Sequence, residues 1–172
     1  MAAGIEFVVI GGVAVGAHGV IRGTKDLDLC PSPSRENLGR LASLLRELDV
    51  SQVGVDDQDF SAREMPFDPT RVEDLAEGDN FRLETPYGIV DVMQWIPGID
   101  ADHAFESLAA DAQTDTAFGV PVTVCSLEKL RQMKPAAGRP QDLVDLANLA
   151  AAHPEAGDSH PEAGDSHPEA AG

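Results

Sequence analysis

Two aspartates separated by one residue follow a glycine pair in the segment IGGVAVGAHGVIRGTKDLDLC, residues 10–30. Because alternate side chains of a strand point to the same face, Asp26 and Asp28 could bind one hard cation together. Gly11 and Gly12 end an apolar strand and precede a small-residue helix, where backbone N–H groups can approach an anion. This combination predicts a phosphate site beside a divalent-cation site, as metal-assisted chemistry on a nucleoside triphosphate would require.

A third acid lies in a separate apolar segment, IVDVMQW, residues 89–95. Asp91 has Val90 and Val92 as neighbours, in the second arm of a predicted hairpin whose turn is TPYG. An acid at such a position either stands on a sheet face for a functional reason or belongs to an ordinary exposed strand. It is therefore a candidate third carboxylate of the site.

The elements that must position these acids follow from periodicity and capping residues. The pattern predicts strands at 5–12, 25–31 and 119–125, a hairpin at 81–95, and helices at 13–21, 35–48, 100–110, 127–134 and 141–152. Ser34 and Ser126 are expected helix caps, and Thr70 with Glu73 has capping-box spacing before a further short helix. The order predicts an α+β fold, with a small mixed β-sheet flanked by helices.

The last two predicted helices are separated by an expected loop, PAAGRP, residues 135–140. In the final helix, Leu143, Leu146 and Ala150 share one face. Residues 1–152 are predicted to form one domain, and residues 153–172 a disordered tail of HPEAGDS repeats.

Composition limits the possible partners. The net charge of −18 argues against broad, sequence-independent binding of nucleic acid, which needs clustered Lys and Arg. No apolar run is long enough for a membrane span, and the N-terminus has no signal-peptide pattern, so we expect a cytoplasmic protein. Cys30 and Cys125 lie in strand-like runs and are expected to be buried thiols.

Several known motifs are excluded by spacing. The glycines at 11, 12, 16 and 19 do not fit the dinucleotide-binding fingerprint, and no Gly-Lys-Ser/Thr of a P-loop is present. Instead, the glycine pair, the spacer and Asp-x-Asp resemble the signature of the DNA polymerase β-like nucleotidyltransferase superfamily. The segments AHGVIRGTKDLDL, GIVDVM and MKPAAGRPQDLVDL are similar to minimal bacterial nucleotidyltransferases, including AbiEii-like toxins and related uncharacterised families.

The resemblance implies roles for particular residues. Asp26, Asp28 and Asp91 would bind Mg²⁺ or Mn²⁺, with Asp91 also acting as base. Apart from the resemblance, if Asp91 is only a strand residue, the third carboxylate is expected among Asp56, Asp57 and Asp59 of the acidic loop. The remaining implied nucleotide-binding residues are Gly11, Gly12, Thr24, Lys25, Lys134 and Arg139, with Arg22 beside the acids and Asp142 without an assigned role.

The implied reaction transfers a nucleoside monophosphate from an NTP to an acceptor and releases pyrophosphate. The acceptor would be tRNA or a protein, in a toxin–antitoxin or phage-defence module with a cognate antitoxin or toxin as partner. Two alternatives stay open: a non-catalytic nucleotide- or partner-binding relative, and a nucleotidyltransferase that modifies small molecules such as antibiotics.

Overall fold

A mixed sheet with helices on both faces forms the centre of the computed structural model, which describes residues 3–53, 67–116 and 119–154. The described strands are β1 Phe7–Val9, β2 Asp26–Pro31, β3 Ser51–Gln52, β4 Phe81–Thr85, β5 Gly88–Val92, β6 Gln113–Asp115 and β7 Val122–Val124. The helices are α1 Gly11–Ala17, α2 Arg35–Glu47, α3 Val72–Leu75, α4 Ala104–Ala109, α5 Leu127–Ala137 and α6 Pro140–Ala152, with a 3-10 turn at Ala101–His103. The predicted α+β class is confirmed.

The strand order in the sheet is β3-β4-β5-β2-β1-β7-β6. β2 lies at the centre, pairs in parallel with β5 and is antiparallel to β1. The predicted hairpin is present, since β4 and β5 are antiparallel neighbours. The two short strands β3 and β6 were not predicted, because each has only two or three mostly polar residues and lies at a sheet edge.

Two apolar clusters cover the two faces of the sheet. One packs α2 and α3 on the sheet through Leu38, Leu41, Leu45, Leu75 and Leu83. The other packs the remaining helices through Val15, Leu108, Leu130, Met133 and Leu149. Cys30 and Cys125 are buried free thiols in the second cluster, as predicted, and burial raises the pKa of each to about 12.

Serine caps hold the start of two helices. Ser34 Oγ accepts a hydrogen bond from the backbone N–H of Asn37, and Ser126 Oγ accepts one from Lys129, so both caps are confirmed. The Thr70 capping box is wrong, because α3 begins one residue later, after Arg71. The Thr70 hydroxyl instead donates to the Asp68 carboxylate at 2.7 Å, an alternative partner that competes with capping.

The boundary between α5 and α6 differs from the prediction. α5 continues through Pro135 to Ala137, although a proline inside a helix removes one backbone hydrogen bond. It ends at Gly138, whose φ of 65° is the left-handed conformation that favours glycine, and whose N–H donates to the Lys134 carbonyl. The expected six-residue loop is thereby reduced to a tight turn before Pro140.

The face of α6 that carries Leu143 and Ala150 is not the buried one. Leu143 is 60% exposed, whereas Asp142 and Asp145 are buried on the opposite side. Their carboxylates pair with Lys134, which extends from α5. Ion pairing, together with the buried Leu149, therefore orients α6 so that Leu143 faces outwards.

The C-terminal end of α6 is anchored by histidine. His153, where the predicted tail begins, is the C-cap of α6, and its Nε2–H donates to the His18 carbonyl at 2.8 Å. The repeats from residue 155 onwards and the acids Asp56, Asp57 and Asp59 lie outside the described residues. In the described ranges, no helix combines the length and the apolar character needed to cross a bilayer.

Candidate functional site

The strand register brings the three predicted carboxylates together. Asp28 of β2 lies directly beside Asp91 of the parallel strand β5, and Asp26 lies two residues before Asp28. All three side chains therefore point to one face of the sheet, while Leu27 and Leu29 point to the other. This face, with its three acids, is called the carboxylate face below.

The glycine pair lies against these acids. Gly11 has a φ of 63°, and a Cβ at this position would lie 1.9 Å from Asp28 Oδ2, so a side chain would need to displace the carboxylate. A Cβ at Gly12 would lie 2.7 Å from both Arg22 Nη2 and Thr24 Oγ1. Gly11 thus lets the first turn of α1 approach Asp28 closely, and Gly12 lets it approach the side chains of Arg22 and Thr24.

Two acids of the carboxylate face are held in an environment that disfavours their charge. Burial, and then the neighbouring Asp26 carboxylate, raise the pKa of Asp28. Burial raises the pKa of Asp91 to about 6, although Arg82 acts in the opposite direction. A cation beside these acids would offset both causes.

Arg82 is a site residue that the sequence analysis missed. It lies on β4 directly opposite Asp91, so its side chain shares the carboxylate face. Its Nη1 donates to Asp91 Oδ2 at 2.6 Å and lies 3.4 Å from Asp26 Oδ2. The predicted hairpin contained the necessary signal, because a two-residue turn at Pro86 and Tyr87 pairs residue 82 with residue 91.

A second group of charged side chains joins α5 and α6, and is called the α5–α6 ion cluster. Its members are Arg22, Lys134, Arg139, Asp142 and Asp145. Lys134 Nζ donates to Asp142 Oδ1 at 2.8 Å and to Asp145 Oδ2 at 2.7 Å, and all three side chains are at most 5% exposed. Arg22 Nε lies 2.9 Å from Asp145 Oδ1, and Arg139 Nε donates to Asp142 Oδ2 at 2.8 Å.

The acids of this cluster are saturated with donors. Burial would raise the pKa of Asp142, but hydrogen bonds from Arg139 and Lys134 outweigh it and lower the pKa. For Asp145, burial is likewise outweighed by hydrogen bonds from Lys134 and Gln141, which lower the pKa. Both acids are therefore held ionised by their partners.

The two groups of charges meet in an open cleft of about 300 Å³. Asp28, Asp91, Arg82 and Arg139 line it together with apolar side chains. A smaller cavity of about 50 Å³ adjoins Asp28, and Lys134 lines it beside Met93, Pro97, Leu130 and Met133. Arg139, with a side chain 72% exposed, is the cluster cation most accessible from the cleft.

The other predicted residues are placed as follows. Thr24 Oγ1 donates to Asp26 Oδ1 at 3.0 Å, which orients that carboxylate. Lys25 is exposed beside it. His18 Nε2–H donates to the Cys125 carbonyl at 2.8 Å, which is a structural role.

Comparison with known proteins supports the fold. No protein-family model matches the chain, and no curated protein sequence matches it. A crystal structure of a candidate nucleotidyltransferase from Thermotoga maritima superposes with a TM-score of 0.51 at 19% identity, over 86% of this chain and 83% of that chain. The two proteins share a fold.

The residues at the carboxylate face fit a hard divalent cation by their chemistry. Carboxylate oxygens are the ligands that Mg²⁺ and Mn²⁺ prefer, and Asp28 and Asp91 both line the open cleft. In the described part of the chain, however, no three acidic, His or Cys side chains form a ready-made metal site. The Arg82 guanidinium lies between Asp26 and Asp91, where it already pairs with both.

Proposed function

We propose that the protein is a nucleotidyltransferase that uses Mg²⁺ or Mn²⁺ to transfer a nucleoside monophosphate from an NTP to an acceptor. The observation that carries the proposal is the register of β2 and β5, which places Asp28 beside Asp91, with Asp26 on the same face. The glycine pair against Asp28, the neighbouring cleft and the fold shared with the Thermotoga maritima candidate nucleotidyltransferase support it.

In this proposal, Asp26, Asp28 and Asp91 hold the divalent cation, which would neutralise charge that develops on the phosphates. Asp91 accepts the proton of the acceptor hydroxyl. The hydroxyl oxygen forms a bond to the α-phosphorus while the bond to the β-phosphate oxygen breaks, so pyrophosphate leaves. Gly11, Gly12 and Lys25 lie near the acids and are proposed to contact the phosphates.

The cations of the α5–α6 ion cluster have different proposed roles. Arg139 is exposed beside the cleft and is the better candidate for contact with the triphosphate. Lys134 donates to two buried carboxylates, so its proposed role is to fix α6 and the end of α5 behind Asp28. Thr24 and Arg22 are proposed to hold Asp26 and the loop before β2.

The acceptor that we propose is tRNA or a protein, within a toxin–antitoxin or phage-defence module. This step rests on the resemblance of the three motif segments to AbiEii-like enzymes. The net charge of −18 means that an RNA acceptor would need a local basic surface or a basic partner, such as a cognate antitoxin.

The test is transfer of label from each of the four NTPs, supplied with Mg²⁺, bulk tRNA and candidate acceptor proteins. Label on the α-phosphate should appear in the acceptor, whereas label on the γ-phosphate should be released in pyrophosphate. The same nucleotides should raise the melting temperature only when Mg²⁺ or Mn²⁺ is present.

The variant Asp26→Ala/Asp28→Ala should lose both the transfer and the metal-dependent stabilisation. Its matched control is Asp100→Ala/Asp102→Ala, because these acids have the same spacing but are exposed at the 3-10 turn. Equal loss of transfer in both double variants would contradict the proposed function. So would a nucleotide-induced rise in melting temperature that needs no metal and survives in Asp26→Ala/Asp28→Ala.

A further inference from the structure

Arg82 lies where a cation would bind. The β4–β5 register places it opposite Asp91, and its guanidinium pairs with Asp91 and, more weakly, with Asp26. Three carboxylates share this face with one guanidinium, so a divalent cation and Arg82 would compete for the same oxygen atoms.

The surroundings of Arg82 let it change partners. Its side chain is 29% exposed and lines the open cleft rather than the closed core. Among the described residues, its guanidinium donates hydrogen bonds only to Asp91 and Asp26. By contrast, Lys134 is 4% exposed and held by two buried acids, so of these two cations Arg82 is the one that can swing into the cleft without opening the core.

We propose that Arg82 is an exchangeable counter-charge: it holds Asp91 and Asp26 while no cation is bound, yields them to the cation, and then contacts the phosphates of the nucleotide. This inference rests on the proposed function. It makes binding of the cation and of the nucleotide cooperative, because the cation releases the guanidinium that the phosphates use.

The proposal predicts opposite effects of one substitution. Arg82→Gln removes the competing positive charge, so Mn²⁺ alone should bind about tenfold more tightly or better. The same variant lacks the phosphate contact, so an NTP added to the Mn²⁺-saturated protein should bind about tenfold more weakly. A residue that only supports the fold would not move these two affinities in opposite directions.

The experiment measures free Mn²⁺ by electron paramagnetic resonance, and then NTP binding at saturating Mn²⁺, with the full chain. Arg35→Gln is the matched control, since Arg35 forms an exposed ion pair with Glu73 away from the site. Both of its affinities should stay within about twofold of wild type. Thermal unfolding of each variant without metal establishes that the protein is folded.

A second measurement uses only the wild-type chain. Arginine-selective dicarbonyl modification, read by peptide mass spectrometry, should be faster at Arg82 with Mn²⁺ alone and slower again when NTP is added. Modification of Arg35 should change with neither ligand.

The outcomes separate the two proposals. If wild type binds Mn²⁺ but Arg82→Gln binds it no more tightly, or if Mn²⁺ leaves modification of Arg82 unchanged, the exchange is refuted and the proposed function stands. If folded wild type and Arg82→Gln both fail to bind Mn²⁺, the proposed function fails as well.

Discussion

The carboxylate face and the α5–α6 ion cluster are built from the same residue types but have opposite charge balance. Among the described residues, strand register places Arg82 on the face with the three acids and Arg139 lines the adjoining cleft, whereas the two acids of the cluster pair with three basic side chains. The face borders an open cleft, and the acids of the cluster are at most 2% exposed.

The pKa values of the acids are shifted in opposite directions in the two regions. The pKa values of Asp28 and Asp91 are raised, by burial first and by neighbouring acids next, apart from the opposing effect of Arg82 at Asp91. The pKa values of Asp142 and Asp145 are lowered despite burial, because hydrogen bonds from basic and amide side chains outweigh it. The surplus of acids near solvent is consistent with the proposed cation site, whereas the saturated cluster contributes to structure.

The largest expected effect on stability is therefore in the cluster. Lys134→Met leaves two buried carboxylates without their shared donor, and should lower the free energy of unfolding by about 3–5 kcal/mol. Urea denaturation measures this. Lys129→Met is the control, since Lys129 lies on the same helix and its Nζ donates to the Ser107 hydroxyl rather than to a buried carboxylate. A similar loss in both variants would mean that the buried cluster does not hold α6 in place.

On the carboxylate face, the expected effect is on activity. Asp91→Asn should keep most of the metal-dependent NTP binding, but should lower transfer by roughly a hundredfold, as expected for loss of a positioned base. Single-turnover transfer at saturating NTP is the measurement. Unchanged transfer would mean that Asp91 is an ordinary strand residue and not the base.

Asp91→Asn should also change how stability and Mn²⁺ affinity depend on pH. Asp91 has a pKa of about 6 in the fold and about 3.9 when unfolded. Because the native state keeps this proton longer, the contribution of Asp91 to the free energy of unfolding falls as pH rises between these values. The affinity for Mn²⁺ should have the opposite pH dependence. It should fall as the pH drops through 6, because a proton on Asp91 then competes with the metal. Both slopes should become shallower in Asp91→Asn.

The carboxylate face could largely be predicted from the sequence, because local rules determine it. Strand alternation places Asp26 and Asp28 on one face whatever the rest of the fold does. The hairpin turn also fixes which residue lies opposite Asp91, so Arg82 could have been found by extending the predicted TPYG turn into a register. What local rules could not supply was the parallel pairing of β2 with β5, which brings Asp28 beside Asp91.

The α5–α6 ion cluster could not be predicted in this way. Its hydrogen bonds join Lys134 to acids 8 and 11 residues away along the chain. The ion pair between Arg22 and Asp145 joins residues that are 123 positions apart. Periodicity alone favoured the Leu143 face of α6, because apolar residues there outnumber those beside Asp142. Only tertiary packing shows that Asp142 and Asp145, and not Leu143, lie on the buried face of α6. There the two carboxylates accept hydrogen bonds from the buried Lys134 ammonium group.

The smallest expected effect lies at the end of α6, far along the helix from the cluster. His153 donates from Nε2 to the His18 carbonyl, and this bond ties the C-cap of α6 to the residue that follows α1. His153→Ala should lower the free energy of unfolding by about 1 kcal/mol, the usual net contribution of one partly buried hydrogen bond. His103→Ala is the control, because its ring is exposed beside Asp100. Equal denaturation midpoints for His153→Ala and wild type would show that the His153 side chain does not help to hold α6.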